Sequence, residues 1–362
     1  MYFPLCNYTA LVMCPTETLL GISFEQLSEQ GRQPPMLLES TAHESVCPPI
    51  AASLAAQTVV PLKAIEHIRP MRGGSQSHLM RCSDGNYYVV KFQGNPQGTR
   101  ILVNELLGTR LAGRLGLPIV ISQVVVVSEE LIRYSKGMVF EGVHGRTPCS
   151  SGLCFGSRYP VDPRKTPVND ILPCSLFCDL TNPSDFLGMF VFDKWTCNTD
   201  GRQVVFFRQP PNSLFRAVMI DQGFCFNSAE WNFPDAPLRS LYRKYPSYEH
   251  VYGLDSFEPW LTRLETEINA DVLSEFARDV PPEWYASDSA SMQSLLERLN
   301  RRRSKVRDLL LQAYQTSPQI FPNWVARGAA RGTKNHDYPD QAISPIATKK
   351  LISDAHRKSV AG

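Results

Sequence analysis

Two features that would direct a chain to a membrane or out of a cell are missing from this sequence. No apolar run reaches the ~18 residues that a membrane-spanning helix needs. The first basic residue is Arg32, so the positively charged start of a secretory signal peptide is absent. We therefore expect a protein with no membrane partner and a cytoplasmic location.

Metal-binding and disulfide motifs are missing as well. The ten cysteines are scattered, none forms a CxxC pair, and no histidine follows them at zinc-finger spacing. Cys174 and Cys178 would share one face of a helix, but two thiolates alone make a poor metal site. We expect reduced and mostly buried thiols, as in a cytosolic protein.

The sequence also lacks a large excess of positive or negative charge. The chain has 37 Lys and Arg against 35 Asp and Glu, a formal net charge of +2, so no nucleic-acid partner is predicted. A local basic run does occur, but on an amphipathic helix such a run is more often the solvated face. The run consists of Arg301, Arg302, Arg303, Lys305 and Arg307.

Hydrophobic patterning divides the chain into four parts. Residues 1–58 hold no sustained period and are predicted to be a weakly ordered extension. Residues 59–145 alternate short strands with one helix, which predicts a small antiparallel sheet. Residues 146–325 begin with a loop rich in Pro, Gly and Ser at 146–170 and become mostly helical. Residues 326–362 are aperiodic and are predicted to be a disordered tail.

The periodicities place the elements as follows. Strands are predicted at 59–68, 78–82, 87–92, 119–127, 137–141, 204–207 and 215–220, and helices at 99–116, 182–195, 256–278 and 289–315.

The first part carries candidate phosphate-binding residues. Gly73 and Gly74 lie between two predicted strands, where backbone N–H groups can approach an anion, although most such pairs are plain turns. Lys91 stands in an apolar strand, where a solvated lysine on the open face is an equal alternative. Glu105 lies on or beside the apolar stripe of the next helix, where a carboxylate is costly without a cation. Protein kinases use a strand lysine held by a helix glutamate to aim an ammonium at nucleotide phosphates.

Two later aspartates can supply the remaining parts of phosphoryl transfer. Asp200 lies in the polar turn 198–203, and Asp221 ends the strand predicted at 215–220. The reaction needs one carboxylate to accept a proton from the attacking hydroxyl and another to hold the magnesium that bridges the phosphates. Taken singly, each aspartate is more often a turn or cap residue. The order glycine turn, lysine, glutamate, aspartate, aspartate favours phosphotransfer.

Through these motifs residues 62–325 resemble the HipA-like kinases, a divergent branch of the protein-kinase-like fold. The resemblance implies a two-lobed α+β fold, in which a small antiparallel sheet with one helix precedes a mostly helical lobe. The most specific motif is the segment around Asp200. The motifs are Met71-Arg72-Gly73-Gly74-Ser75-Gln76, Tyr88-Val89-Val90-Lys91-Phe92, Asn104-Glu105-Leu106, Asp193-Lys194-Trp195, Asn198-Thr199-Asp200-Gly201-Arg202-Gln203 and Ile220-Asp221-Gln222-Gly223.

The resemblance also implies a role for each candidate. Lys91 would contact the phosphates of ATP, and Glu105 would hold Lys91 in place. Asp200 would be the catalytic base, and Asp221 would bind Mg²⁺. ATP would lie between the lobes. It would be covered by Gly73, Gly74, Ser75 and Gln76, with its adenine on the backbone of a hinge at Phe140-Glu141-Gly142-Val143.

Two positions depart from the family pattern. Better-known members carry His two residues after the catalytic aspartate and a metal-binding Asn five residues after it, where this chain has Arg202 and Val205. Valine cannot bind magnesium, so the second metal ligand is either missing or supplied by another residue, for which Asn198 is the candidate. The chain shows no helix-turn-helix signature, and a role as the toxin of a toxin–antitoxin pair is not expected.

The predicted function is ATP- and magnesium-dependent phosphotransfer to a Ser or Thr hydroxyl of a protein, with the chain itself among the acceptors. Two alternatives stay open. Val205 favours a catalytically silent nucleotide-binding or scaffold protein, and the long loop predicted at 146–182 favours a kinase for a small molecule.

Overall fold

The structure is a computed structural model that describes residues 61–208, 214–242 and 247–325. The predicted extension at 1–58 and the predicted tail at 326–362 lie outside the described residues. Among the described helices, none combines the length and the apolar character that crossing a membrane requires.

The elements of the described chain follow the predicted order with a few additions. The strands are β1 (Leu62–Pro70), β2 (His78–Cys82), β3 (Tyr87–Lys91), β4 (Ser122–Val127), β5 (Val139–Gly142), β6 (Gly145–Pro148), β7 (Gly152–Arg158), β8 (Gln203–Arg208) and β9 (Phe215–Ile220). The α-helices are α1 (Arg100–Arg114), α2 (Glu129–Tyr134), α3 (Asp185–Thr196), α4 (Glu258–Glu267), α5 (Ala270–Arg278), α6 (Ser289–Arg302) and α7 (Val306–Thr316).

The N-terminal lobe is a barrel closed in the order β1-β2-β3-β7-β4. β1 and β4 pair in parallel, whereas the other pairs are antiparallel, so the predicted small antiparallel sheet is present with one additional parallel pairing. β7 lies between β3 and β4, and Phe155 pairs with Lys91 on one side and Val124 on the other.

The boundary predicted between residues 145 and 146 is wrong, because β7 completes the N-terminal barrel. Its residues fell inside the predicted loop 146–170, where glycine and serine outweigh a short apolar run. Gly156 itself has a packing reason, since a Cβ there would lie 2.5 Å from Val125 Cγ2 on the adjacent strand. The chain therefore leaves the N-terminal lobe after Arg158.

Helix α1 is buried on nearly all of its faces. Every residue from Ile101 to Thr109 is buried, as expected for a helix enclosed between two layers. Its apolar side chains share one core with α3 and the later helices. Two arginines of α1 also form ion pairs with the C-terminal lobe, Arg114 with Glu267 and Arg110 with Asp279. The helix thereby joins the barrel to the helical lobe.

The C-terminal lobe is built around α3, whose side chains are buried from Phe186 to Thr196. The single helices predicted at 256–278 and 289–315 are each divided. α4 and α5 are separated near Asn269, whose side chain caps α5 by accepting from the N–H of Val272 at 3.0 Å. A short 3₁₀ turn at Arg303–Lys305 separates α6 from α7.

The basic run from α6 into α7 is only partly solvated: Arg301 and Lys305 are exposed, whereas Arg302 and Arg307 bond within the lobe. Arg302 is 6% exposed and donates to Asp235 and to the carbonyl of Lys194. Arg307 pairs with Glu258 at 2.6 Å and with Glu265 at 3.0 Å. These two arginines bond to other parts of the same lobe, so the expected solvated face is corrected at Arg302 and Arg307 only.

Gly188→Ala is expected to destabilise the C-terminal lobe. A Cβ at Gly188 would lie 2.2 Å from Trp260 Nε1, so α3 and α4 would have to separate, at a cost of ~1–3 kcal/mol. Denaturant unfolding measures the loss. The control is Gly201→Ala, where a Cβ meets nothing within 4 Å. Equal stability of both variants would contradict this packing.

Candidate active site

One buried ammonium lies between two carboxylates where the lobes meet. Lys91 at the end of β3 donates from Nζ to Glu105 Oε1 of α1 and, at 3.0 Å, to Asp221 Oδ1 after β9. Lys91 is 6% exposed and Glu105 is 2% exposed, so water screens the group very little. Three sequence-predicted residues, 130 positions apart at the extremes, are thus brought together.

Two glycines allow α1 to approach Asp221 this closely. A Cβ at Gly108 would lie 2.9 Å from Gln222 Cβ, and a Cβ at Gly223 would lie 2.8 Å from Ile101 Cγ2. The N–H of Gln222 also donates to Glu105 Oε2 at 2.9 Å. Both oxygens of Glu105 are therefore engaged, one by the lysine and one by the chain beside Asp221.

The ionisation of the group follows from burial and proximity. Burial alone would lower the pKa of Lys91, but the charges of Glu105 and Asp221 outweigh burial and raise it. Burial and the Asp221 carboxylate raise the pKa of Glu105, which Lys91 offsets in part. Burial also acts to raise the pKa of Asp221, but Lys91 prevails and lowers it. At neutral pH the lysine is charged and Asp221 is ionised.

Asp221 also has an unusual backbone. Its φ of 59° lies in the left-handed region, which a non-glycine residue adopts at a cost when the surroundings impose it. The imposed turn points its side chain to Lys91 and leaves the side chain 25% exposed.

Asparagine 104 fixes the chain that follows Asp221. Its side-chain Nδ2 lies 2.7 Å from the carbonyl of Gly223, 3.0 Å from that of Cys225 and 2.8 Å from that of Ser228. Its Oδ1 accepts from the indole N–H of Trp231 at 2.9 Å. The sequence shows Asn104 beside Glu105 but gives no hint of this role, because its acceptors are backbone atoms more than 100 positions away.

Asp200 lies in the loop after α3, and its carboxylate faces solvent. Oδ1 accepts from the N–H of Gly201 at 2.7 Å, while Asn198 Oδ1 accepts from the N–H of Asp200 at 3.2 Å. Asp200 lines a cavity of about 510 Å³ together with Thr199, Gly201, Arg202 and the segment Leu238–Tyr242. A small alcohol or a side-chain hydroxyl fits a space of that size.

Arg202 links the Asp200 loop to the Asp221 turn. It forms a buried pair with Asp193 of α3, with Nε 2.9 Å from Oδ2. Its Nη1 donates to the carbonyl of Ile220 at 3.0 Å and to Gln222 Oε1 at 2.9 Å. Asp193 raises the pKa of Arg202 despite burial. Arg202 stands where the family pattern has another residue, and the structure gives it a positioning role that the sequence did not predict.

The candidate second metal ligand Asn198 and the substituted position Val205 are both buried. Asn198 is 1% exposed, and its Nδ2 donates to Asp193 Oδ1 at 3.1 Å, so it holds the loop together. Val205 is buried on β8 in an apolar cluster with Phe207 and Val218. Among the described residues, no group of three or more His, Cys, Asp or Glu side chains is arranged to hold a metal.

One carboxylate is nevertheless enough for magnesium bound to a nucleotide. Mg²⁺ is usually held through one or two carboxylates, with phosphate oxygens and water completing its shell. Asp221 fits this requirement because it is ionised, partly exposed and beside the buried ammonium of Lys91.

The glycine turn is tied to a separate hairpin formed by β5 and β6. Gln76 Nε2 donates to the carbonyl of Glu141 at 2.8 Å, and the N–H of Glu141 donates to Gln76 Oε1 at 2.6 Å. The backbone of Glu141 is therefore engaged within the N-terminal lobe, and Val143 at the hairpin tip is 99% exposed. The predicted hinge at Phe140–Val143 is corrected, because the connection between the lobes starts after β7.

The other residues of the predicted glycine turn lie between β1 and β2. Gly73 has a φ of 129°, which requires glycine. A Cβ at Gly74 would lie 2.8 Å from Gln97 Nε2, and Ser75 is 6% exposed. Their contact with a nucleotide stays a prediction.

The family model of the HipA-like kinases matches residues 64–316 of this chain. The chain belongs to the HipA-like kinase family. The predicted α+β fold of a kinase, with a sheet lobe followed by a helical lobe, is thereby confirmed. No curated protein matches the chain.

Several solved structures are similar to this chain at low identity. The proinflammatory kinase CtkA of Helicobacter pylori is 14% identical with a TM-score of 0.46, over 72% of this chain and 100% of that chain. The Golgi casein kinase is 13% identical with a TM-score of 0.41, over 72% and 75%. The Golgi casein kinase with Mn and ADP bound is 14% identical with a TM-score of 0.40, over 72% and 75%.

Asn104→Ala is expected to lower the free energy of unfolding by about 2–4 kcal/mol, since the two N–H donors that three backbone carbonyls share and the acceptor of the Trp231 indole N–H are lost. Urea unfolding measures the change. The matched control is Asn323→Ala. Asn323 is exposed, and its side chain donates one hydrogen bond, to the carbonyl of Glu249 at 2.8 Å. A loss no larger than that of the control would contradict the role assigned to Asn104.

Proposed function

We propose that this protein is an ATP- and magnesium-dependent phosphotransferase that acts on a hydroxyl group, with a Ser or Thr of a protein, its own chain included, as the acceptor. The observation that carries the proposal is the buried ammonium of Lys91 between Glu105 and Asp221. A structural ion pair needs only one carboxylate. The second carboxylate, partly exposed, gives the group a side from which a phosphate chain and its metal can be bound.

Lys91 would bind the phosphates, and Glu105 would hold its ammonium in place. Glu105 is suited to this task because its other oxygen accepts from the N–H of Gln222, which prevents the carboxylate from turning away. Asp221 would hold Mg²⁺. The bound ion would neutralise charge on the phosphate oxygens.

Asp200 would accept the proton of the attacking hydroxyl. Its carboxylate is exposed toward the cavity, and its backbone is fixed by Asn198 at 3.2 Å. A general base must lie within reach of the hydroxyl that it deprotonates, so the acceptor would enter between Asp200 and Leu238–Tyr242.

A catalytically silent nucleotide-binding protein is the second candidate. It is favoured by Val205, which is 6% exposed in an apolar cluster, so that β8 offers no ligand at this position. Such a protein would bind ATP at Lys91 without transferring phosphate.

Asp200→Ala is expected to reduce phosphate transfer by at least ~100-fold, because the hydroxyl loses its proton acceptor. The assay incubates the protein with radiolabelled ATP and Mg²⁺ or Mn²⁺, with dephosphorylated casein added, and counts label on casein and on the chain itself. The rise in melting temperature caused by ATP is expected to persist in this variant. The control is Asp308→Ala, which removes an exposed carboxylate on α7.

Asp221→Ala is expected to remove the effect of Mg²⁺ on ATP-dependent melting, because the metal loses its carboxylate. Differential scanning fluorimetry with ATP, with and without Mg²⁺, measures this. If the wild-type protein labels neither casein nor itself, the proposed phosphotransfer to a protein hydroxyl is refuted. Stabilisation by ATP in that case would support the silent protein.

A further inference from the structure

The wall of the cavity opposite Asp200 is held by an unusual lysine. We call residues 234–242 the acceptor wall, since Leu238–Tyr242 line the cavity across from Asp200. Lys194 of α3 donates from Nζ to three carbonyls of this wall, those of Ala236 at 3.0 Å, Pro237 at 2.6 Å and Arg239 at 2.9 Å.

The number of donors equals the number of acceptors. An ammonium has three N–H groups, and each of the three carbonyls takes one. Lys194 is 5% exposed. Burial lowers the pKa of Lys194 to about 8 even though Asp193 acts to raise it, so the side chain is mainly charged at pH 7.

Two further contacts join the acceptor wall to the same support. Arg302 donates both to Asp235 of the wall and to the carbonyl of Lys194. The hydroxyl of Ser240 donates to the carbonyl of Asn198, two residues before Asp200. The wall is therefore fastened to the end of α3, to Arg302 of α6 and to the loop that carries Asp200.

A buried lysine at position 194 is not needed merely to fill the interior of the lobe. An apolar side chain would fill the interior at lower cost, because burying an ammonium without a contacting carboxylate loses much of its hydration. The ammonium adds directional bonds to three successive parts of one segment. Those bonds set the distance between the wall and the loop of Asp200.

We propose that Lys194 is a positioning residue that holds the acceptor wall in a fixed position relative to Asp200. A protein acceptor bound at the wall then presents its hydroxyl to the Asp200 carboxylate. The inference rests on the proposed phosphotransfer. Water needs no wall to reach the nucleotide, so ATP hydrolysis does not depend on Lys194, whereas transfer to a protein does.

The test compares Lys194→Met with the wild-type protein and with Lys136→Met, which removes an exposed lysine. Transfer to dephosphorylated casein or to the chain itself is expected to fall by ~10–100-fold in Lys194→Met, the effect of a small misplacement of a reactant. ATP hydrolysis and the rise in melting temperature with ATP are expected to stay within about twofold of wild type. A parallel loss of hydrolysis and transfer would overturn the inference, since a general loss of structure produces that result.

Hydrogen exchange tests the anchor without any activity. In Lys194→Met without ATP, the amides of Asp235, Ala236 and Leu238–Tyr242 are expected to exchange faster, while those of α1 keep their rates. Unchanged exchange in 234–242 would overturn the inference even if the protein is a kinase. If Lys194→Met does not fold, Lys194→Gln, which keeps two N–H donors, is expected to give smaller changes in the same direction. If the wild-type protein transfers no phosphate, both the proposed function and the role of Lys194 in transfer to a protein are refuted. The exchange data then test only whether Lys194 holds residues 234–242 in place.

Discussion

The structure depends on one electrostatic constraint, a buried ammonium placed between one buried carboxylate and one partly exposed carboxylate. Removing such charges from water is costly, and the cost is offset only when their geometry is good and their remaining atoms are bonded. Several neighbouring features serve that geometry. Gly108 lets α1 approach, the N–H of Gln222 takes the second oxygen of Glu105, and Asn104 holds the chain beyond Asp221.

The end of α3 is the second centre of the site. Asp193 pairs with Arg202, which bonds to the turn of Asp221, and the neighbouring Lys194 holds the acceptor wall. Two successive residues of one helix thus connect the turn of Asp221 and the cavity beside Asp200 to the end of α3. A change at Asp193 would therefore act on the turn of Asp221 through Arg202, whereas a change at Lys194 would act on the acceptor wall.

Much of the architecture could be predicted from local patterns. Apolar strands and a periodic helix placed β2, β3, β9 and α1 closely, and the costly Glu105 pointed correctly to Lys91. β7 was missed because its glycine and serine content suits a loop, whereas its burial between β3 and β4 depends on the whole barrel.

The remaining site residues could not be predicted because their partners are backbone atoms or distant in sequence. Gln76 forms a hydrogen bond to the backbone of Glu141, in the segment that was predicted to be the hinge. The amino-acid sequence of neither segment indicates this contact. Arg202 was visible only as a departure from a pattern. Its function follows from its bonds to Asp193 and Gln222, which exist only in the folded chain.

The most direct measurement of the central claim is the melting temperature of wild type and Lys91→Met as ATP is added with Mg²⁺. If Lys91 is the phosphate-binding ammonium, ATP raises the melting temperature of the wild-type protein in a concentration-dependent way, and the variant, once folded, shows little or no rise. An equal rise in both proteins would contradict the account, because the nucleotide would then be bound without the buried ammonium.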